Sequence, residues 1–219
     1  MLTVQGKMAF RNLYRNPKRS FIVFIGITFA FSLAGMTWAI KQLSEKMLFE
    51  QFEKIETYDT KIIFTEPQKR EKAVWELNRF PGVKKAEAVA EVPATLKNKG
   101  REKTLVIIGL PRQNSLYNII DKKGNAVEPP EKGILVTERL AQVLDVKPGN
   151  TIYIESPYIK ERHKEKQVQV VGTVSQYVGI NAYMELNSLE ELIGQNDITT
   201  SVLLAVDEKQ LPKLQEKYG

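Results

Sequence analysis

The chain has 219 residues, 42% of them hydrophobic and 26% charged. That balance suits one large or two small globular domains and excludes disordered and collagen-like classes. Its net charge of +6 is concentrated, because residues 1–20 hold Lys7, Arg11, Arg15, Lys18 and Arg19 and no acid, which leaves the remainder at +1. A basic block of this kind is not a nucleic-acid docking face, which needs cations spread over a surface, and it points to a membrane. Cysteine is absent and there is one histidine, His163, inside the charged run 160–166. Disulfides, thiolate catalysis and cysteine-based zinc sites are excluded, and a His-rich metal site or a Ser/His triad lacks its parts. His163 reads as a solvated loop residue.

Residues 1–20 form the first element. Met8, Ala9 and Leu13 lie among Lys7, Arg11 and Arg15, and Asn16-Pro17 interrupts the pattern. This predicts a short amphipathic elbow on the cytoplasmic membrane face, the alternative being a basic tail that only sets topology. From Phe21 to Ile40 the chain then runs twenty residues without a charge. As a helix this makes a rod of about 30 Å, the thickness of a hydrocarbon core, and it reads as a transmembrane helix. A signal peptide would have a shorter apolar stretch and a shorter basic leader. All flanking charges on the N-terminal side are basic, whereas Lys41, Glu45, Lys46 and Glu50 mix signs on the other. The N-terminus is therefore expected in the cytoplasm and residues 41–219 outside. Mean hydropathy is −0.29 despite the span, so the rest is a water-soluble body.

Residues 41–56 continue the helical period through Leu43, Met47, Phe52 and Ile55. They predict a stalk whose apolar stripe packs on the outer domain or on a neighbouring membrane helix. Lys61 to Thr65 predicts a strand and Pro67 to Phe80 a helix, stopped by Pro81-Gly82. Val83 to Leu96 alternates, with Ala86, Ala88, Ala90, Val92, Ala94 and Leu96 on one face and charged residues, Glu87 and Glu91 among them, on a solvated face. Thr104 to Leu110 returns as a buried strand, which makes the run β-α-β-β, the first part of a split βαβ, ferredoxin-like module. Residues 111–132 are loop-like. Gly133 to Ile154 predicts a strand, a short helix capped by Thr137, a Pro148-Gly149 turn and a strand. Lys160 to Lys166 is a hairpin tip and Val168 to Val174 a strand. Thr199 to Val206 is a strand and Glu208 to Tyr218 a weak helix that return to the first module. The expected fold is α+β: a transmembrane helix with a stalk, a ferredoxin-like porter-type subdomain from 57–110 and 199–219, and a β-rich subdomain, 111–198, inserted into it.

Four segments in this order resemble the FtsX/MacB-type (type VII) ABC transporter permeases, which include the lipoprotein-releasing permeases. They are AFRNLYRNPKRS (9–20) before the span, FPGV (80–83), VIIGL (106–110), and GILVTERLAQVLDVKPGNTIYI (133–154) followed by VVGTV (170–174). The resemblance implies an elbow, a first membrane helix, a stalk and an extracytoplasmic MacB-like periplasmic core domain, in a bacterial cytoplasmic (inner) membrane. It also implies a non-enzymatic chain without cofactors, coupled to a cytoplasmic ABC ATPase subunit, in contact with lipid and paired with a second permease copy. Asn150 stands where the family often has Asp, at a turn either residue fills. The family carries three further membrane helices, and no stretch after Ile40 is long and apolar enough to be one. A portion of a longer permease, or a truncated product that does not transport alone, is the expectation. The other readings are a single-pass receptor with an outer binding domain and a membrane-anchored enzyme. For the enzyme, Glu87, Glu91 and Asp145 are the available carboxylates, and no phosphate loop, metal-spaced cluster or nucleophile elbow accompanies them.

Overall fold

A computed structural model of the chain describes residues 8, 11, 14–159, 165–176, 179–212 and 214. His163 and Lys7 lie outside them, as does most of the expected elbow, of which Met8, Arg11, Tyr14 and Arg15 are helical. The chain divides into two compact units, Met1–Leu48 and Phe49–Gly219.

Helix α1 runs from Pro17 to Glu50, and its 34 residues measure about 50 Å at 1.5 Å per residue. Proline suits a first helical position, where its missing N–H costs nothing. Beyond it Gly26 and Gly35 are the residues of lowest helix propensity,. Every residue from Phe21 to Ile40 is exposed. Among the described residues this is the one helix long and apolar enough to cross a membrane, with a window of mean hydropathy 1.9. A π-helical turn, Gln51–Ile55, follows and is closed by Glu56 N donating to Gln51 O at 2.9 Å.

In the second unit, β1 (Thr60–Lys69), α2 (Arg70–Asn78) and β2 (Val83–Asn98) form a split βαβ, with the antiparallel strand β10 (Ile198–Val206) seated between β1 and β2,. Helix α2 begins at Arg70, three residues after the expected start, because Gln68 and Lys69 still pair with Thr199 and Ile198. Pro67 sits in the irregular stretch between Ile63 and Gln68. A proline is tolerated there, since β1 is the free edge of the sheet,.

Strand β2 is long enough to serve two layers. Its first half pairs with β10 and its second half with β3 (Arg101–Leu110). After a small β4–β5 pair (Ile119–Ile120, Ala126–Val127) come β6 (Ile134–Thr137), α3 (Glu138–Leu144), β7 (Thr151–Glu155), β8 (Glu165–Val174), β9 (Asn181–Glu185) and α4 (Leu186–Ile193). The order β2-β3-β9-β6-β8-β7 closes on itself through Leu96↔Ile154 and its neighbours. Residues 83–110 therefore share one ring with strands from 111–198. Strand β9 and helix α4 were not anticipated, although Leu186, Leu189 and Ile193 carry a clear helical period.

Alternation along the ring strands separates two cores. Ala90, Val92, Ile107, Val136, Ile154 and Ala182 pack with Leu140, Leu144, Leu186 and Leu189 of the two helices. Val89, Ile108, Leu135 and Tyr183 face the other way into a second core with Ile55, Leu116 and Tyr117. A third, around Ile62, Leu77 and Val202, lies under α2. Thr137 Oγ1 accepts from Leu140 N, as a cap for α3 should, and Asn150 Oδ1 closes its turn by accepting from Lys147 N at 2.9 Å.

A Cβ at Gly109 would stand 2.7 Å from Leu189 Cδ2 and 3.3 Å from Leu186 Cδ1. Gly109→Val should therefore destabilise the outer unit by about 1–3 kcal/mol through overpacking. The measurement is urea unfolding followed by Trp75 fluorescence in a Trp38→Phe background, against the same background with Gly109 retained.

Candidate functional site

The residues expected to set topology and carry the stalk do not behave as one face. Arg11, Arg15, Lys18 and Arg19 are exposed, and Phe21 and Ile40 bound the exposed apolar stretch of α1. Of the stalk stripe, Leu43 and Phe52 are each 60% exposed, Met47 is half-buried and Ile55 is 2% exposed. The π-helical turn explains the division. In an α-helix residues three apart share a face, but hydrogen bonding from i+5 widens the turn and carries Ile55 round from Phe52 into the second core,.

Around Ile55 the second unit, Phe49–Gly219, grips the chain leaving that turn. Asn118 N donates to Ile55 O at 2.8 Å and Thr57 N to Leu116 O at 3.2 Å, an antiparallel bridge centred on Glu56↔Tyr117. Side chains double it, with Asn118 Nδ2 donating to Lys54 O at 3.0 Å and Thr57 Oγ1 to Ser115 O at 2.9 Å. Glu56 accepts from Gln51 Nε2 at 2.8 Å and from Tyr58 OH at 2.9 Å. Two residues on, Asp59 N donates to Leu204 O and Asp59 Oδ2 accepts from Val206 N at 2.8 Å, fastening the same segment to β10.

Beneath this bridge Tyr117 and Tyr183 place their hydroxyls 3.2 Å apart, and Gln176 Nε2 donates to Tyr117. Burial, then the charge and hydrogen bond of Tyr183, push Tyr117 far above the usual phenol range. Burial followed by Glu56 does the same to Tyr58. Both hydroxyls thus remain protonated donors or acceptors, and they serve as structural joints.

Glu87 departs from its expected place on a solvated face: it is 7% exposed. The segment 111–118 folds over it. Its carboxylate accepts from Ser115 N and Leu116 N, each at 3.0 Å, and from Ser115 Oγ at 3.0 Å, while Lys85 Nζ stands 2.6 Å away. Burial pushes the carboxyl upward, but the Lys85 ammonium and these donors outweigh it and hold the group below the ordinary carboxylate value,. Glu91 is half-buried and paired with Lys61 at 2.6 Å. Asp145 caps α3 in the left-handed conformation at φ 53°. Glu87, Tyr117 and Asn118 were missed as site residues. The available signal was Val89, an apolar residue between Glu87 and Glu91 that marks their face as covered.

Among the described residues no group of three or more His, Asp or Glu side chains could hold a metal. The arrangement brings together carboxylates, amides and hydroxyls that bind one another, with Gln51 Oε1 and Gln176 Oε1 left buried without a partner, and this is structural rather than catalytic chemistry.

Ile55→Ala should cost about 2–5 kcal/mol of outer-unit stability by leaving a cavity, whereas Phe52→Ala, at an exposed position, should stay within about 0.5 kcal/mol. Paired urea titrations of the two variants check the contrast.

No family model matches the sequence, and no curated protein does. Among solved structures, the periplasmic region of MacB from Actinobacillus actinomycetemcomitans aligns with a TM-score of 0.50 at 13% identity, over 78% of this chain and 85% of that one. The extracellular domain of the noncanonic ABC-type transporter YknZ from Gram-positive bacteria aligns at 0.49 and 16%, over 70% and 88%. A domain of a putative permease protein from Porphyromonas gingivalis aligns at 0.34 and 12%, over 77% and 73%. The second unit thus has a mixed α+β fold that resembles the MacB periplasmic region.

Proposed function

We propose that the chain is the first membrane span and extracytoplasmic domain of a bacterial ABC-transporter permease of the FtsX/MacB type. The observation that carries this is a lipid-suited helix running, through a π-helical turn bonded to residues 116–118, into a unit with the MacB periplasmic fold. Its partners are a cytoplasmic ABC ATPase, membrane lipid and a second permease copy. ATP is hydrolysed by the ATPase, and this chain conveys the movement outward, for export or extraction of a substrate, without catalysing a reaction. In this reading Arg11, Arg15, Lys18 and Arg19 hold the N-terminus in the cytoplasm by the positive-inside rule, with residues 41–219 outside. Leu43, Met47 and Phe52 offer their exposed or half-buried surface to a neighbouring membrane helix, and Ile55 fixes the end of the stalk.

Two measurements test it. Because the chain has no cysteine, single-cysteine variants report topology cleanly: Ser44→Cys should react with a membrane-impermeant maleimide in cells whose outer layers are permeabilised, and Lys18→Cys only after lysis. The reverse pattern overturns the orientation. The native product carrying this chain, purified with the ATPase encoded beside it, should hydrolyse ATP more slowly when Met47 and Phe52 are changed to Ser. An unchanged rate, or no associated ATPase, overturns the transporter reading in favour of a single-pass receptor.

A further inference from the structure

We infer that Glu87 is the positioning residue of the stalk joint, the single carboxylate that holds the 115–118 segment in the place where it grips the chain leaving the stalk helix. The inference deepens the permease reading and rests on it for its functional meaning, but its structural content does not need an ATPase.

Three facts converge. The segment 115–118 carries every partner of the bridge to residues 54–57: Ser115 O, Leu116 O, Asn118 N and Asn118 Nδ2. Regular sheet pairing does not hold it in place, since β3 ends at Leu110 and β4 begins at Ile119. What holds its leading end is Glu87, which accepts from two consecutive backbone amides and from the Ser115 hydroxyl, while Lys85 Nζ reaches both Glu87 Oε1 and Ser115 Oγ at 2.6 Å. Hydrogen bonds to a charged acceptor in a buried site are the strong kind, and an amide left facing a neutral or donating group there is unsatisfied. A glutamine at 87 keeps the shape but offers one acceptor where the carboxylate offers two, and turns an N–H₂ toward a donor.

Glu87 stands in the first half of β2, opposite Leu203 of β10, on a strand whose second half belongs to the closed ring. The joint is therefore referenced to the strand that both layers share. Glu91, four residues further along the same face, offers the internal control, because its carboxylate binds Lys61 and Ser201, whereas the Glu87 carboxylate binds the backbone of 115–116.

The test is hydrogen exchange by mass spectrometry on the full chain in detergent micelles. In Glu87→Gln, peptides covering 53–58 and 113–119 should exchange about tenfold faster or more, while those of β6, β8 and β9 change less than about twofold. Glu91→Gln should leave 113–119 unchanged. Equal protection in Glu87→Gln and the unaltered chain overturns the inference, and so does acceleration spread evenly over the outer unit, which a merely structural role produces. Should Glu87→Gln not fold, the unaltered chain carries the test as pH falls, with rates corrected for intrinsic exchange. A carboxyl held below its ordinary value keeps the joint closed above the ordinary carboxylate range and releases it as pH drops through the folded value,. Acceleration confined to 53–58 and 113–119 at that stage supports the inference, and its absence overturns it. Failure to bind an ATPase with this protection pattern intact would sink the transporter reading and leave the joint standing.

Discussion

A helix that exposes its whole circumference from Phe21 to Ile40, including four phenylalanines and a tryptophan, cannot persist in water, and everything else in the molecule answers to that constraint. Each such side chain loses about 1.5–3 kcal/mol when left in water, so the segment demands a hydrocarbon surround. Backbone polarity imposes the same choice, because a helix satisfies its own N–H and C=O groups where the solvent cannot. The helix cannot leave its solvent, and the outer unit cannot enter it. In the permease reading proposed above, load would pass through one stretch of chain, residues 49–59.

The joint uses bonds that survive such duty. Lys41–Glu45, a pair with both side chains well exposed, contributes about 0–1 kcal/mol. Ile55, the Glu56↔Tyr117 bridge and Glu87 lie instead in or beside a desolvated core, where each lost partner leaves an unsatisfied group. The π-helical turn matters here for geometry. An uninterrupted α-helix would put Phe52 and Ile55 on one face, and one widened turn lets the first stay exposed while the second becomes an anchor.

Reading the sequence succeeded where periodicity decides and failed where tertiary contact decides. The span, the alternation of β2, the Thr137 cap and the βαβ run are local patterns, and they appear in the fold. Helix α2 began late because edge pairing with β10 overrode the helix-start signal of Pro67. Strand β9 escaped notice because Asn181 to Glu185 is five residues long and gains its identity from parallel pairing with β3, some seventy residues away in the chain. Glu87 was misplaced for the same reason. Period two assigns a face, but it cannot say that the loop 111–118 will cover that face, and burial changed the residue from a solvated charge into a structural one.

The distribution of open and closed strand edges completes the mechanical picture. Among the described residues every strand of the ring pairs with a neighbour on each side, and its strands are filled on one side by the faces of α3 and α4. The open edge of the eight-stranded sheet is β1, and its middle departs from regular pairing around Pro67, with Lys61 and Lys69 along it, features that discourage another strand from adding there. A unit built this way resists internal deformation and resists accidental strand addition. Under the proposed permease function, movement delivered at residues 49–59 would be most cheaply expressed as motion of the whole unit, the property that reading requires of a domain that turns a change at the membrane into a displacement outside it.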